Sequence, residues 1–335
     1  MRDGAQLSIL EKRRVWSTKM LGRLADSFAR EGNRLAPLTS IIAVGSLGRL
    51  EAHRRSDIDC VLLQNTTCDA TGLNDACATV ISTIRSCGFR VPKRGGIYRQ
   101  PITIERLCAS TALGDLTESP AVFGKRIQLL LDARAITGEE DFRDARGRVL
   151  AWYERAGAAF SFDGRWDFLA RDLLRYMHSY WNWQMFKLEA TRGDSWFLRQ
   201  AKLRSSRLLT WFGLWVLLSG AAERRKRGTQ WLRDNLDRTP LDRTALVMGN
   251  AMPAQFDQLA VAYQFILGLL TDPHVRRALL DPAMDPVRYR AGDLPAFEQI
   301  LAASRIIRTC IARFVAKQNR APSRLLRGVD AFSQF

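Results

Sequence analysis

The chain has few of the residues on which several kinds of catalytic site depend. Only three of its 335 residues are histidine, namely His53, His178 and His274. A zinc site or a histidine acid–base pair is therefore not expected, because both need clustered imidazoles. Six cysteines occur without a C-x-x-C pair, which is typical of reduced thiols in a cytoplasm. We therefore expect a cytoplasmic protein.

The chain also lacks a long apolar run. The longest, residues 208–222, has 15 residues, whereas a bilayer span needs about 20. A buried core helix fits better, although the basic residues at 224–227 leave contact with a membrane surface as the alternative. Charged residues follow directly after Leu10, so no secretory leader is indicated. We expect no stable membrane insertion.

Acidic residues are scarce relative to basic ones. The chain holds 51 basic and 34 acidic residues, a net charge of +17, and the basic excess is 6 in residues 1–150 and 11 in residues 151–335. Such a field attracts polyanions, so an RNA or an acidic protein is an expected partner. The alternative is a compositional bias toward arginine, which greatly outnumbers lysine.

The segment 41–63, IIAVGSLGRLEAHRRSDIDCVLL, carries the strongest functional pattern. Its β-branched start predicts a short buried strand that ends at Gly45 and Ser46. Glycine permits a positive φ and lets phosphate oxygens approach the main chain, to which the Ser46 hydroxyl can donate. Gly48 and Arg49 extend this phosphate-binding loop. The Arg49 guanidinium would pair either with a phosphate oxygen or with Glu51.

Asp57 and Asp59 come at the start of a second apolar strand. Alternate side chains of a strand share a face, so both carboxylates should point the same way, with Ile58 and Cys60 on the opposite face. Two hard oxygen ligands beside a glycine turn suit Mg²⁺, or Mn²⁺ as the alternative, that still carries nucleotide phosphates and water. The order strand, Gly-Ser, D-x-D therefore predicts a nucleotidyl-transfer site.

At these residues the chain resembles the DNA-polymerase-β-like nucleotidyltransferase superfamily. G-S-L-G-R-L-E followed by S-D-I-D is similar to the branch that contains PII protein uridylyltransferase, glutamine synthetase adenylyltransferase and uncharacterised bacterial relatives. The likeness extends over roughly residues 35–220, and residues 125–134 resemble the helix that closes the domain in those relatives. The resemblance implies Mg²⁺-dependent transfer of an NMP group from a nucleoside triphosphate, expected to be ATP or UTP.

A third carboxylate usually completes the site in this superfamily. Glu105 is the best candidate, because it ends the short β-like run 101–105. Asp115 and Glu118 are rivals in a stretch that predicts a helix start. The alternative for Glu105 is a solvated residue at the head of a helix over 106–112.

Periodicity predicts an α+β fold with two domains. Residues 1–150 would form a nucleotidyltransferase-like domain with an N-terminal amphipathic helix over 7–35 and a small mixed β-sheet with flanking helices. After Ala121 strand signals nearly vanish, so residues 151–335 would form an all-α, basic domain.

The helical domain begins with a dense aromatic and basic patch in residues 175–207. In the related transferases this bundle forms the second wall of the nucleotide cleft, so Lys202 and Ser206, four residues apart on one helix face, are candidate nucleotide ligands. The alternative is that most of these aromatics are core. Three hypotheses remain open: transfer to a protein side chain, transfer to an RNA or small alcohol, and a catalytically inactive nucleotide-binding regulator of the same fold.

Overall fold

The computed structural model describes residues 8–92, 96–109, 114–160, 166–190, 195–224 and 227–318, and the side chains of 157–160 and 187–190 fall outside this description. The chain divides into two compact units, Met1–Ala159 and Phe160–Phe335. The division falls a few residues after the position near 150 that the sequence suggested. Mostly helical with one small sheet, the fold belongs to the α+β class.

The first unit alternates helices with three short strands. In chain order its described elements are α1 (Ile9–Glu31), β1 (Leu38–Val44), α2 (Gly45–Gly48), β2 (Asp59–Gln64), α3 (Ala70–Ser86), α4 (Ile104–Leu107), α5 (Pro120–Leu131), β3 (Arg134–Thr137) and α6 (Glu139–Phe160). Short 3₁₀ turns occupy Gly32–Leu35 and Ile97–Arg99. The predicted N-terminal helix is confirmed: α1 begins with a capping box between Ser8 and Glu11, which satisfies two otherwise orphan amides.

The sheet has the order β2-β1-β3, so β1 is the central strand. Both pairings are antiparallel, with Ile41 opposite Leu62 and Val44 opposite Asp59. The expectation of a mixed sheet is therefore wrong for the three described strands. Parallel pairing occurs as two isolated bridges, Asp57 with Arg90 and Leu63 with Ile102, because those segments touch β2 too briefly to form strands.

Strand β3 corrects a second expectation. The sequence predicted helix through residue 134 and almost no strand after Ala121, but α5 ends at Leu131 and residues 134–137 pair with β1. Four residues with one buried side chain, Ile136, are too short for period-2 alternation to stand out. Gly138, at φ 64°, then turns the chain into α6.

The core of the first unit lies where α1 and α3 pack on one face of the sheet. Its buried members include Leu24 and Phe28 of α1, Ile41 of β1, Leu62 of β2 and Ile84 of α3. Burying large aliphatic and aromatic side chains contributes roughly 1.5–3 kcal/mol each. This packing fixes β1 and β2, and with them the turn at the end of β1.

The second unit consists of helices joined by turns and irregular segments over its described residues. Its elements are α7 (Asp167–Ala190), α8 (Trp196–Lys202), α9 (Leu208–Glu223), α10 (Gly228–Asn235), α11 (Pro240–Thr244), α12 (Pro253–Thr271), α13 (Pro273–Ala278) and α14 (Pro295–Gln318), with π-helical turns at Leu203–Arg207 and Ala245–Gly249. Helix α9 contains the long apolar run and is buried from Leu208 to Ala221, as predicted. Across the described helices, none is both long and apolar enough to cross a bilayer.

Candidate active site

The first component of the site is the turn that follows β1. Gly45 adopts φ 69°, in the left-handed region that favours glycine. A Cβ at this position would lie 3.9 Å from Oδ2 of Asp59, so the glycine leaves the space beside that carboxylate open. The half-buried Ser46 follows, and its hydroxyl forms no hydrogen bond with another described residue. The turn therefore presents backbone and a hydroxyl next to an aspartate.

Asp59 is the first residue of β2, opposite Val44 at the end of β1, and Asp57 comes two residues before it. Ile58 and Cys60 between and after them are buried, whereas Asp57 is exposed and Asp59 is half-buried. This alternation puts both carboxylates on the side of the strand away from the core. The amide of Ile58 donates to the carbonyl of Arg90 at 3.0 Å, which fixes the backbone between the two aspartates.

The loop that joins the turn to β2 is held at several points. The Glu51 amide donates to the Ser46 carbonyl at 2.8 Å, and the Ala52 amide donates to the Ser17 hydroxyl of α1 at 3.1 Å. Leu50 adopts φ 61°, a conformation that costs a side-chain-bearing residue of order 1 kcal/mol or more. Such strain persists only where neighbours impose it, so this loop is built to one shape.

Arg49 is the centre of a buried ion network. Its Nε donates to Glu51 at 2.9 Å and its Nη1 to Asp132 at 2.7 Å, and the three side chains are 10%, 4% and 6% exposed. Of the two alternatives open from sequence, phosphate or Glu51, the carboxylate pairing is present here. The network links the turn to Asp132, two residues before β3, so Arg49 holds the site's backbone in position.

Gly48 serves close packing. A Cβ there would lie 1.9 Å from the carbonyl oxygen of Asp132 and 2.8 Å from that of Ala43. Gly48 is buried, so its backbone is not in a position to meet a phosphate from solvent. The residue lets the chain from α5 approach the end of β1.

Glu105 does not have the strand context predicted for it. It lies in the first turn of α4, capped by Thr103, which is the helix-head alternative. Ile102, three residues earlier, pairs with Leu63, four residues or about 13 Å along β2 from Asp59. The exposed carboxylate of Glu105 accepts a hydrogen bond from Arg148 at 3.0 Å. A hydrogen bond from its own backbone amide, and then Arg148, lower the pKa of Glu105.

The two rival carboxylates have other partners as well. Asp115 accepts from the Thr117 amide at 2.7 Å in an exposed turn. The Glu118 side chain is only 2% exposed and pairs with Arg126 at 2.6 Å. The partner of Asp115 lies just before α5 and the partner of Glu118 lies within α5. Neither contact brings its carboxylate to Asp57 or Asp59.

Lys202 and Ser206 belong to the second unit. Lys202 ends α8, and Ser206 is buried in the π-helical turn, where its hydroxyl donates to the Lys202 carbonyl at 3.4 Å. The two residues are thus four apart on one helical path, as expected. The Ser206 hydroxyl is engaged by its own helix.

Sequence reasoning missed Asp132 as part of the site's framework. In the antiparallel register Arg134 lies opposite Ala43 of β1, so Asp132 comes at the same end of the sheet as Gly45. The signal was present: Asp132 directly follows an apolar helix and precedes a short β-like run. It was obscured because the helix predicted over residues 125–134 runs past Asp132 to the first residue of β3.

The donor set fits a divalent cation that brings its own ligands. The two aspartates are hard oxygen donors beside an open glycine position, and Mg²⁺ is commonly held by one or two carboxylates plus phosphates and water. Among the described residues no group of three or more histidine, cysteine, aspartate or glutamate side chains could hold a metal. The protein would therefore supply Asp57 and Asp59, and the substrate and solvent the remaining ligands.

Comparison with known proteins adds no family to this geometry. The chain matches no model of a known protein family, and no curated protein matches it significantly. Only the residues of the site and their arrangement therefore indicate what the first unit does.

Proposed function

We propose that the first unit is a Mg²⁺-dependent nucleotidyltransferase that moves an NMP group from ATP or UTP to an acceptor hydroxyl on a protein or an RNA. One observation carries the proposal: the register that pairs Val44 with Asp59 sets Asp59 beside the Gly45–Ser46 turn, and Asp57 comes two residues earlier on the same side of the chain. A phosphate-approachable turn and a metal-binding pair are the two parts that phosphoryl-type transfer requires.

The residues would divide the work as follows. Asp57 and Asp59 would hold the metal ion, which would neutralise phosphate charge and polarise the P–O bonds. The Gly45 backbone admits the triphosphate, and the Ser46 hydroxyl donates to one of its oxygens. The acceptor oxygen bonds to the α-phosphorus as the bond to pyrophosphate breaks, and the acceptor proton passes to solvent. Positioning, rather than covalent catalysis, supplies the rate.

The test is transfer of label from each α-labelled NTP, with Mg²⁺, to cell protein and to total RNA offered separately. Asp57→Asn/Asp59→Asn should reduce labelling about 1,000-fold, equivalent to about 4 kcal/mol, at an unchanged melting temperature. Asp26→Asn/Asp75→Asn removes the same charge from exposed helix positions of the first unit and should label normally. Glu105→Gln should also keep most activity. Undiminished labelling by the Asp57/Asp59 variant would refute the proposal.

A second candidate is a catalytically inactive, nucleotide-binding regulator. This candidate is favoured because, among the described residues, no third carboxylate joins Asp57 and Asp59. Glu105 pairs with Arg148, and the described residues contain no group of three potential metal ligands. Calorimetry separates the two. Metal-dependent nucleotide binding that is lost in the Asp57→Asn/Asp59→Asn variant, with no label in protein or RNA, would identify the regulator.

A further inference from the structure

The π-helical turn of the second unit carries two arginines that stack on aromatic rings of α7. The guanidinium carbon of Arg204 lies 5.3 Å from the ring centroid of Trp181, and that of Arg207 lies 4.5 Å from the ring of Tyr180. Nε of Arg204 and Nη1 of Arg207 are buried without a hydrogen-bond partner. Stacking orients each guanidinium but leaves its donors and charge uncompensated.

Helix α14 packs against this turn and adds two more cations. Arg305 and Arg308 are close enough to Arg204 that, after burial itself, their charges lower the pKa of its guanidinium. None of the four arginines forms an ion pair with a carboxylate in the part of the chain that the structure describes. Like charges that converge in this way repel one another, so an anion at this position would be stabilised.

The surrounding sequence keeps the positive potential intact. No acidic residue occurs in residues 196–222 or 299–318, which contain the turn and most of α14. On α7 Asp172 is buried and pairs with Arg175 at 3.2 Å. The four arginines therefore lie in segments without local carboxylates to neutralise them.

The aromatic residues of α7 extend from the arginines into solvent. Tyr176 and Tyr180 are stacked with centroids 6.2 Å apart, and Trp183 meets Tyr180 edge-on at 5.7 Å. Trp183 is 51% exposed and Phe186 is 72% exposed. An acidic protein would need only the cations, whereas exposed rings beside guanidiniums also offer stacking surfaces to unpaired bases.

We propose that this cation–aromatic face, formed by Arg204, Arg207, Arg305, Arg308, Tyr180 and Trp183, binds single-stranded nucleic acid. Backbone phosphates contact the arginines, and a base stacks on Trp183. The proposed binding does not depend on the proposed transferase function. Identifying the bound strand as the acceptor does rest on that function. The face then favours an RNA-type acceptor over a protein.

Fluorescence anisotropy with labelled 20-nucleotide poly(U) and poly(dT), without nucleotide or metal, tests the binding. Four phosphate contacts predict a slope of log K against log salt of about −3, or about 50-fold weaker binding at 200 mM than at 50 mM. Binding of either strand supports the proposal, and the tighter one identifies the natural type. Tighter binding of duplex RNA, or equal competition by polyglutamate, would overturn it.

Variants assign the binding to the face. Arg305→Gln/Arg308→Gln should halve the salt slope to about −1.5, and Trp183→Ala should weaken binding about 5- to 100-fold at an unchanged slope. Arg277→Gln/Arg288→Gln removes the same charge from exposed positions elsewhere in the unit and should bind like the original protein. An equal effect of this control pair would show that net charge, and not the face, is responsible.

The two proposals fail in different ways. Asp57→Asn/Asp59→Asn should bind poly(U) with full affinity while transferring no label, and Arg305→Gln/Arg308→Gln should transfer label to RNA poorly while binding nucleotide normally. Loss of strand binding in the aspartate variant would contradict the assignment of binding to the second unit's face.

Discussion

The candidate site of the first unit and its framework contain four carboxylates, and they fall into two pairs. Glu51 and Asp132 are buried on either side of Arg49, whereas Asp57 is exposed and Asp59 is half-buried at the start of β2. Residues of the same chemistry thus have different roles, because burial commits one pair to a cation within the protein and exposure leaves the other pair accessible to a ligand. The inner pair, Glu51 and Asp132, maintains the geometry that the outer pair, Asp57 and Asp59, uses.

The largest effect is expected from removing Arg49, the cation that Glu51 and Asp132 share. Arg49→Met would leave Glu51 and Asp132 buried without their partner, which should reduce the free energy of unfolding by about 3–5 kcal/mol. Urea denaturation measures this. Arg143→Met is the matched control, because Arg143 forms an exposed pair with Glu139 and its loss should cost less than about 1 kcal/mol. Equal effects of the two changes would contradict the importance of the network.

A smaller loss of stability should follow when a methyl group is placed next to Asp132 and every charge of the network is kept. Gly48→Ala places a methyl group against the Asp132 carbonyl, and overpacking of this kind costs about 1–3 kcal/mol. We also expect reduced nucleotide binding, because the turn before Arg49 must shift. Gly147→Ala, in the middle of α6 with no atom within 4 Å of the new methyl group, should be neutral or stabilising. A stable, fully active Gly48→Ala protein would show that the close approach is dispensable.

The smallest expected effect concerns Lys125, a buried cation that pairs with no carboxylate among the described residues. Lys125 donates to the Gln100 carbonyl at 2.5 Å, and burial lowers the pKa of its ammonium to about 8. Between that pH and about 10.4 the unfolded chain holds a proton that the native protein has released, so unfolding takes up a proton. Stability should therefore rise as pH increases through this window.

Lys125→Met should lack that contribution. Urea denaturation at pH 8 and pH 10 would show a smaller gain, or a larger loss, for the variant than for the original protein. Identical pH dependence of the two proteins would mean that the Lys125 ammonium is not destabilised by its burial.

Local patterns predicted the strand and turn geometry of the candidate site better than the framework that supports it. The strand, the Gly-Ser turn and the D-x-D strand depend on residues close in sequence, and alternation alone placed Ile58 and Cys60 in the core. The pairing of Arg49 with Asp132 joins residues far apart in the chain, and no local pattern encodes it. Strand β3 was missed for a related reason, since β1 supplies its hydrogen bonds.

Glu105 and Gly48 show the limits of interpreting a motif residue by residue. A short apolar run before Glu105 favoured a strand, but Thr103 caps a helix there instead. Gly48 occupied a position typical of phosphate loops, and only the neighbouring Asp132 carbonyl explains why a glycine is needed. Sequence patterns indicate which residue types are present, whereas packing decides what each one contacts.

The two bridges on the outer side of β2 have a consequence for association. The carbonyl of Leu62 and the amide of Gln64 are taken by Ile102, and the carbonyl of Arg90 accepts from Ile58. These contacts occupy hydrogen-bonding groups that a bare edge strand would offer to a foreign chain. Strand addition from a second molecule is thereby obstructed along β2, so edge-to-edge aggregation through this edge of the three-stranded sheet should be resisted.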